Sequence, residues 1–152
     1  AYAQVVKAYN GTDYAKTPGA GAAGGLGFAF LSYTNAVLES GVKIILEETK
    51  LESFIKNADF VITGEGRLDG QTVMGKAPIG VAEIAKKNKK KVLAFGGCVA
   101  EDATLCNQHG IDAFFPILRT VTTLKEAMDF NHAKENLSAA VEQVFRLIQS
   151  FE

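Results

Sequence analysis

Apolar positions along the chain change rhythm near residue 58. Downstream, Phe60-Val61-Ile62-Thr63 and Val92-Leu93-Ala94-Phe95 are short apolar runs, each followed by glycine, and Ala113-Phe114-Phe115 is stopped by Pro116. Such runs between Gly or Pro breakers match strands buried on both faces. The segments between them carry helix signals. Residues 77–87 open with Pro78 in the first turn, where a missing N–H costs nothing. Residues 102–109 are closed by Gly110. Thr123 and Glu126 have capping-box spacing. Over 132–150, Leu137, Val141, Val144 and Ile148 recur every three or four positions and predict a long amphipathic helix. Strand alternating with helix implies a parallel sheet with helices on both faces. In such sheets ligands bind beyond the carboxyl ends of the strands, which points to the segments after Thr63 and Phe95.

Residues 1–50 follow another rhythm. Residues 1–9 read as the end of a helix and 10–21 as a polar, Gly-rich loop around Pro18. A buried helix is expected over 22–39 and a strand over 43–47, centred on Ile44, Ile45 and Leu46. A short helix is expected over 51–57. The fold class is therefore α/β: a parallel-sheet, Rossmann-like or flavodoxin-like domain over 51–152, with part of a second α/β lobe over 1–50 that carries the Gly-rich loop. Neither internal repeats nor a low-complexity linker are visible.

Composition narrows the class. Of 152 residues, 47% are hydrophobic and 22% charged, as in soluble globular domains. The formal net charge of -1 gives no general attraction to nucleic acid. The apolar-rich run from Leu26 to Leu38 is shorter than a membrane span and carries Ser32, Thr34 and Asn35, so no membrane partner is expected. Cys98 and Cys106 form no CxxC motif, and two Cys with two His at these spacings do not make a zinc site. A reducing, cytoplasmic location is the expectation. The basic run from Lys86 to Lys91 suits the end of a helix. The chain opens with Ala1 and in mid-pattern, which suggests a piece of a longer protein.

Two motifs carry candidate chemistry. Residues 18–27 read PGAGAAGGLG and contain G-x-G-x-x-G at Gly19, Gly21 and Gly24, followed by Gly25. Peptide N–H groups without neighbouring β-carbons can close around an anion at a helix start. A dinucleotide site would also need a strand directly upstream, and residues 13–17 do not read as one. Close packing of helix on backbone is the structural alternative. Residues 63–76 read TGEGRLDGQTVMGK. Gly70–Lys76 fits the first seven positions of a P-loop, but the eighth, Ala77, has no hydroxyl for a metal. In the same expected loop Glu65 and Asp69 stand beside Arg67 and Lys76. Carboxylates can hold Mg²⁺ or take a proton, and the cations can neutralise a phosphoryl group or fork onto a carboxylate. The alternative is that the loop pairs its own charges. The Gly96-Gly97-Cys98 segment is expected to line the same cleft. His109 and His132 read as helix-end and solvent-facing residues.

The blocks PGAGAAGGLG at 18–27, ADFVITGEGRLDGQTVMGKAP at 58–78 and KVLAFGG at 91–97 resemble the bacterial-type glycerate kinase family, over essentially the whole chain. The resemblance implies two α/β domains with the active site in the cleft between them. It implies ATP, Mg²⁺ and D-glycerate as cofactors and substrate. Association into a homo-oligomer stays an open partner class, not set by the resemblance. The resemblance carries over, as positions, to Gly19 through Gly27 and to Gly64, Glu65, Arg67, Asp69, Thr72, Gly75 and Lys76. The roles come from the residue chemistry: Gly19, Gly21, Gly24, Gly25, Gly64, Thr72 and Gly75 are read as substrate- or phosphate-binding, and Glu65, Arg67, Asp69 and Lys76 as catalytic, with Glu65 and Asp69 as metal ligands. The family's N-terminal Lys-Gly-Ser and Asp-Gly-Gly-Glu-Gly motifs are not in this sequence, so the chain alone is expected to be an incomplete, inactive part of the enzyme. Two other readings stay open: a non-catalytic ligand-binding module and an NAD-dependent oxidoreductase.

Overall fold

The structure, a computed structural model, describes residues 2–151. Two compact units divide the chain, the first ending at Ile44 and the second beginning at Ile45.

In the first unit, α1 (Tyr2–Asn10) and α2 (Ala22–Tyr33) build a small core from Val6, Ala20 and Phe28. The edge of Tyr2 meets the Phe28 ring at 5.8 Å between centroids. The helix expected over 22–39 is shorter and mostly exposed, with only Gly27 and Phe28 buried. It ends where Thr34 turns to extended backbone and spends both its N–H and its hydroxyl on the Phe30 carbonyl, at 3.0 and 2.6 Å. A residue that satisfies the last turn with its own side chain competes with helix propagation. The strand expected over 43–47 is instead part of α3 (Gly41–Glu48). A run of three apolar residues fits either period, and here the flanks decide it: Lys43 pairs with Glu39 one helical turn away. The division between the units falls inside α3.

The second unit opens with α4 (Leu51–Ile55). Its sheet has three parallel strands in the order β1 (Phe60–Leu68), β2 (Lys91–Val99), β3 (Ala113–Pro116). The connections run through α5 (Ala77–Lys87) and α6 (Leu105–Gln108), and α7 (Leu124–Ala127) and α8 (Phe130–Gln149) follow β3. Alternation along β2 explains the layers. Val92 and Ala94 join Ile79, Ala82, Ala85 and Cys106 in one core. Leu93 and Phe95, one position out of phase, pack with Phe115, Val141 and Val144 on the opposite face. Thr123 caps α7 with the expected box, and Asp129 caps α8.

One expectation fails in a way that matters for the site. The apolar runs at 60–63 and 92–95 do not end at their glycines. β1 and β2 stay paired from Gly64↔Phe95 and Glu65↔Gly96 to Arg67↔Cys98 and Leu68↔Val99. Gly64, Glu65 and Arg67 are therefore strand residues rather than loop residues. Glycine permits this by close approach. A Cβ on Gly64 would stand 2.9 Å from the Phe95 carbonyl oxygen, and one on Gly97 would stand 2.7 Å from that of Gly66. Val61 and Leu68, seven positions apart, share one core, whereas strict alternation would put them on opposite faces. Leu68, fully buried, anchors the end of the strand in that core.

Candidate active site

Asp69 is the first residue past the anchored end of β1, and the chain folds back around its carboxylate. Its Oδ1 accepts from the peptide N–H of Gln71 at 3.0 Å and of Thr72 at 3.2 Å. Thr72, completely buried, returns the favour: its hydroxyl oxygen accepts from the Asp69 N–H at 3.1 Å. A short 3-10 turn over Thr72–Met74 then closes on Gly75, whose φ of 95° is left-handed and so suits glycine. Lys76 follows as the residue that starts α5, and its Nζ reaches Asp69 Oδ1 at 3.4 Å. From the strand itself Arg67 Nε approaches Asp69 Oδ2 at 3.3 Å. One carboxylate thus gathers two cations and two peptide N–H groups at the carboxyl end of a parallel strand.

The electrostatics follow from this packing. Burial pulls the Asp69 carboxyl up, but the Lys76 charge and the hydrogen bonds from Lys76, Gln71 and Thr72 outweigh it and hold it below the ordinary aspartate value. Asp69 is therefore an anion at neutral pH and a weak base. Arg67 leaves 64% of its side chain in solvent and Lys76 36%, so both keep N–H groups for a second anion.

Within the P-loop pattern at Gly70–Lys76, two peptide groups are already engaged. The peptide groups of Gln71 and Thr72 already hold Asp69, an anion supplied by the chain itself. Glu65 differs. It lines a cleft with Gly64, Gly66 and Cys98, and its Oε1 accepts only from its neighbour's N–H, at 3.3 Å. It has no ion pair among the described residues.

A resident Mg²⁺ fits this set poorly. A hard cation wants several oxygens with free lone pairs. Each Asp69 oxygen already faces a cation, and no group of three or more His, Cys, Asp or Glu is placed to hold a metal among the described residues.

In the first unit the glycine run divides into two roles. Gly19 and Gly27 serve packing: a Cβ on Gly27 would lie 2.3 Å from the Gly19 carbonyl oxygen. Gly21, Gly24 and Gly25 have nothing within 4 Å of the position a Cβ would take. The turn over Ala23, Gly24 and Gly25 is left-handed, with φ of 49°, 69° and 99°. No strand precedes it among the described residues, so the structural context of a dinucleotide fingerprint is absent.

His109 ends α6 with its Nδ1 2.9 Å from the Leu105 carbonyl oxygen, and His132 lies exposed at the start of α8. The sequence singled out Glu65, Arg67, Asp69, Thr72 and Lys76, but not the cleft walls contributed by Ile117, Leu124 and Met128. Those residues lie in segments whose apolar positions look like ordinary core.

The model of the glycerate kinase family matches residues 1–149 of this chain. The chain is 45% identical over 139 residues to glycerate 2-kinase of Escherichia coli (strain K12), covering 91% of this chain and 36% of that protein. It is 43% identical over 143 residues to glycerate kinase of Bacillus subtilis (strain 168), covering 94% and 37%. Among solved structures, a Salmonella typhimurium LT2 chain designated glycerate kinase 2 superposes with a TM-score of 0.67 at 34% identity, covering 99% of this chain and 37% of that one. The chain spans a little over a third of the length of these relatives.

Proposed function

The chain belongs to the glycerate kinase family, and we propose that it supplies part of the active site of an enzyme that transfers the γ-phosphoryl group of ATP to D-glycerate. The observation that carries this reading is the clamp at the end of β1, where Asp69 holds Arg67 and Lys76 side by side. Phosphoryl transfer needs positive charge fixed in place around the moving group, and little covalent chemistry from the protein. A carboxylate that pre-orients two cations meets that need, because no reorganisation remains for the moment of reaction.

Roles follow from the environments. Asp69, ionised and fully engaged, positions the cations. Arg67 and Lys76 meet the phosphoryl group or the glycerate carboxylate, Arg67 through the N–H groups not spent on Asp69. Glu65, which has no cation partner among the described residues, accepts the proton of the attacking hydroxyl. That oxygen bonds to the γ-phosphorus as the bond to the ADP oxygen breaks. The uncrowded, left-handed turn at Gly24 and Gly25, with Gly21 before it, is the place where an anionic part of a substrate would approach the backbone. Magnesium accompanies the nucleotide's phosphates in this reading, and no step is assigned to a metal held by this chain.

The test is glycerate-dependent ADP release by the full-length protein. Glu65→Gln is expected to lower kcat by about 10²-fold with little change in KM, since removing one general base costs on that order. Arg67→Ala is expected to raise KM for glycerate or ATP as well, and Arg67→Lys to restore it only in part. Normal kcat in both folded variants would leave the clamp as scaffold.

A further inference from the structure

We propose that the apolar cleft beside β1 and β2 receives the purine base of the nucleotide, a proposal that rests on the kinase reading above. The cleft encloses about 790 Å³, within the usual range for small-molecule sites. Its floor is Ile62 and Phe95 from the sheet, and its walls are Leu124 from α7 and Met128 just after it, with Leu137 and Val141 from α8. A lining this apolar cannot hold a triphosphate or D-glycerate, whose charges would be stripped of water without partners. Of the two substrates, only the nucleotide has a planar part with apolar faces.

Three further observations fit a base rather than a generic apolar guest. First, the cleft opens at the carboxyl ends of the strands, and Glu65 sits in its lining. From Ile62 on the cleft floor to Arg67 along β1 is five residues, about 17 Å at the rise of a strand, the order of length of a nucleoside triphosphate. A base over Ile62 therefore lets the phosphates run past Glu65 toward Arg67 and Lys76, which leaves Glu65 at the reacting end. Second, pairing with β3 stops at Gly96↔Pro116, where the Ile117 N–H reaches the Gly96 carbonyl oxygen at 2.9 Å. β2 continues to Val99, so among the described residues its β3-side edge beyond Gly96 faces no strand where Gly97 and Cys98 line the cleft. Free peptide groups on a strand edge are the donors and acceptors that a purine edge pairs with. Third, Leu124 and Met128 are one helical turn apart and 80% and 76% exposed, although both line the cleft. Covering them with a ring removes apolar surface from water, and the flexible thioether adapts to it.

The experiment titrates ADP, adenosine and pyrophosphate into this chain by calorimetry, with circular dichroism as the check on folding. Ala127→Trp fills the cleft. Met128→Asp places a charge on its rim at a solvent-exposed position that the fold does not depend on. Both are expected to weaken adenosine and ADP by about tenfold or more, the effect of one lost apolar contact or an opposed charge, while pyrophosphate is unaffected. Arg67→Ala is expected to do the reverse, weakening pyrophosphate and ADP but not adenosine. Adenosine affinity unchanged in both cleft variants, or no adenosine binding to the folded chain, overturns the assignment. Displacement of nothing but a protein segment from the cleft would do the same. The kinase reading is judged separately by glycerate-dependent ADP release, so either can fail without the other.

Discussion

At the scale of single residues, the site turns on Asp69 and Thr72. Arg67, Asp69 and Lys76 were legible in the sequence because charged residues this dense in a Gly-rich stretch are poorly explained by surface ion pairs, each worth about 0–1 kcal/mol. What no spacing revealed is that the chain wraps its own carboxylate. That follows from the buried Thr72 hydroxyl, which accepts the Asp69 N–H while Oδ1 accepts the Thr72 N–H. Thr72→Val keeps the shape but leaves the Asp69 N–H without its partner. The expected loss is about 1–3 kcal/mol, the cost of an unsatisfied buried donor, read by urea unfolding. Thr72→Ser keeps the hydroxyl and is expected to recover most of it. Equal stability of the Val and Ser variants would mean that the hydroxyl does not organise the loop.

At the scale of elements, the sequence showed where β1 and β2 begin but not where they end. Strand propensity is low in TGEGRL and GGCV, and glycine normally marks a strand's end. The structure continues them because the glycines permit backbone contact across the pair, a tertiary effect with no local signature. Gly97→Ala would press a Cβ to 2.7 Å from the Gly66 carbonyl oxygen, whereas a Cβ at Gly66 meets nothing within 4 Å. Gly97→Ala is thus expected to destabilise by about 1–3 kcal/mol and Gly66→Ala to be sterically tolerated, a contrast that thermal melting reads directly.

A second element-scale prediction concerns the opposite end of the sheet. There Asp112 ties α5 to β2, pairing with Lys86, facing Lys91 at 3.6 Å and accepting from the Val92 N–H at 2.6 Å. Burial pulls its carboxyl up, but Lys86, the Val92 N–H and Lys91 outweigh that and hold it low. A carboxyl lowered in the folded state contributes stability that is complete above its unfolded value, near pH 4, and is lost as pH falls through the folded one. Asp112→Asn should therefore lower stability at neutral pH and flatten the loss below about pH 4. An unchanged acid limb would show that the tie carries no linkage.

For the whole molecule, the parallel sheet could be read from the alternation of apolar runs and amphipathic segments, since topology leaves few alternatives once strands and helices alternate. The first unit was less legible: a three-residue apolar run does not distinguish strand from helix, and α3 took the helical form. The cleft was legible only on its strand side, at Glu65, Gly97 and Cys98, because its other walls come from α7, α8 and the segment after β3, which only the fold brings together. Because the chain spans a little over a third of its relatives' length, catalysis is a property to test in the full-length protein.

The central claim is that Asp69 holds the charges that phosphoryl transfer to D-glycerate uses. Its most direct test is the glycerate-dependent kcat of full-length wild type against Asp69→Asn, which keeps the shape and removes the charge. The account predicts wild-type turnover in the ordinary kinase range of about 1–100 s⁻¹ and a fall of about 10²-fold in the folded variant. An Asp69→Asn protein that folds and turns over glycerate at the wild-type rate would contradict it.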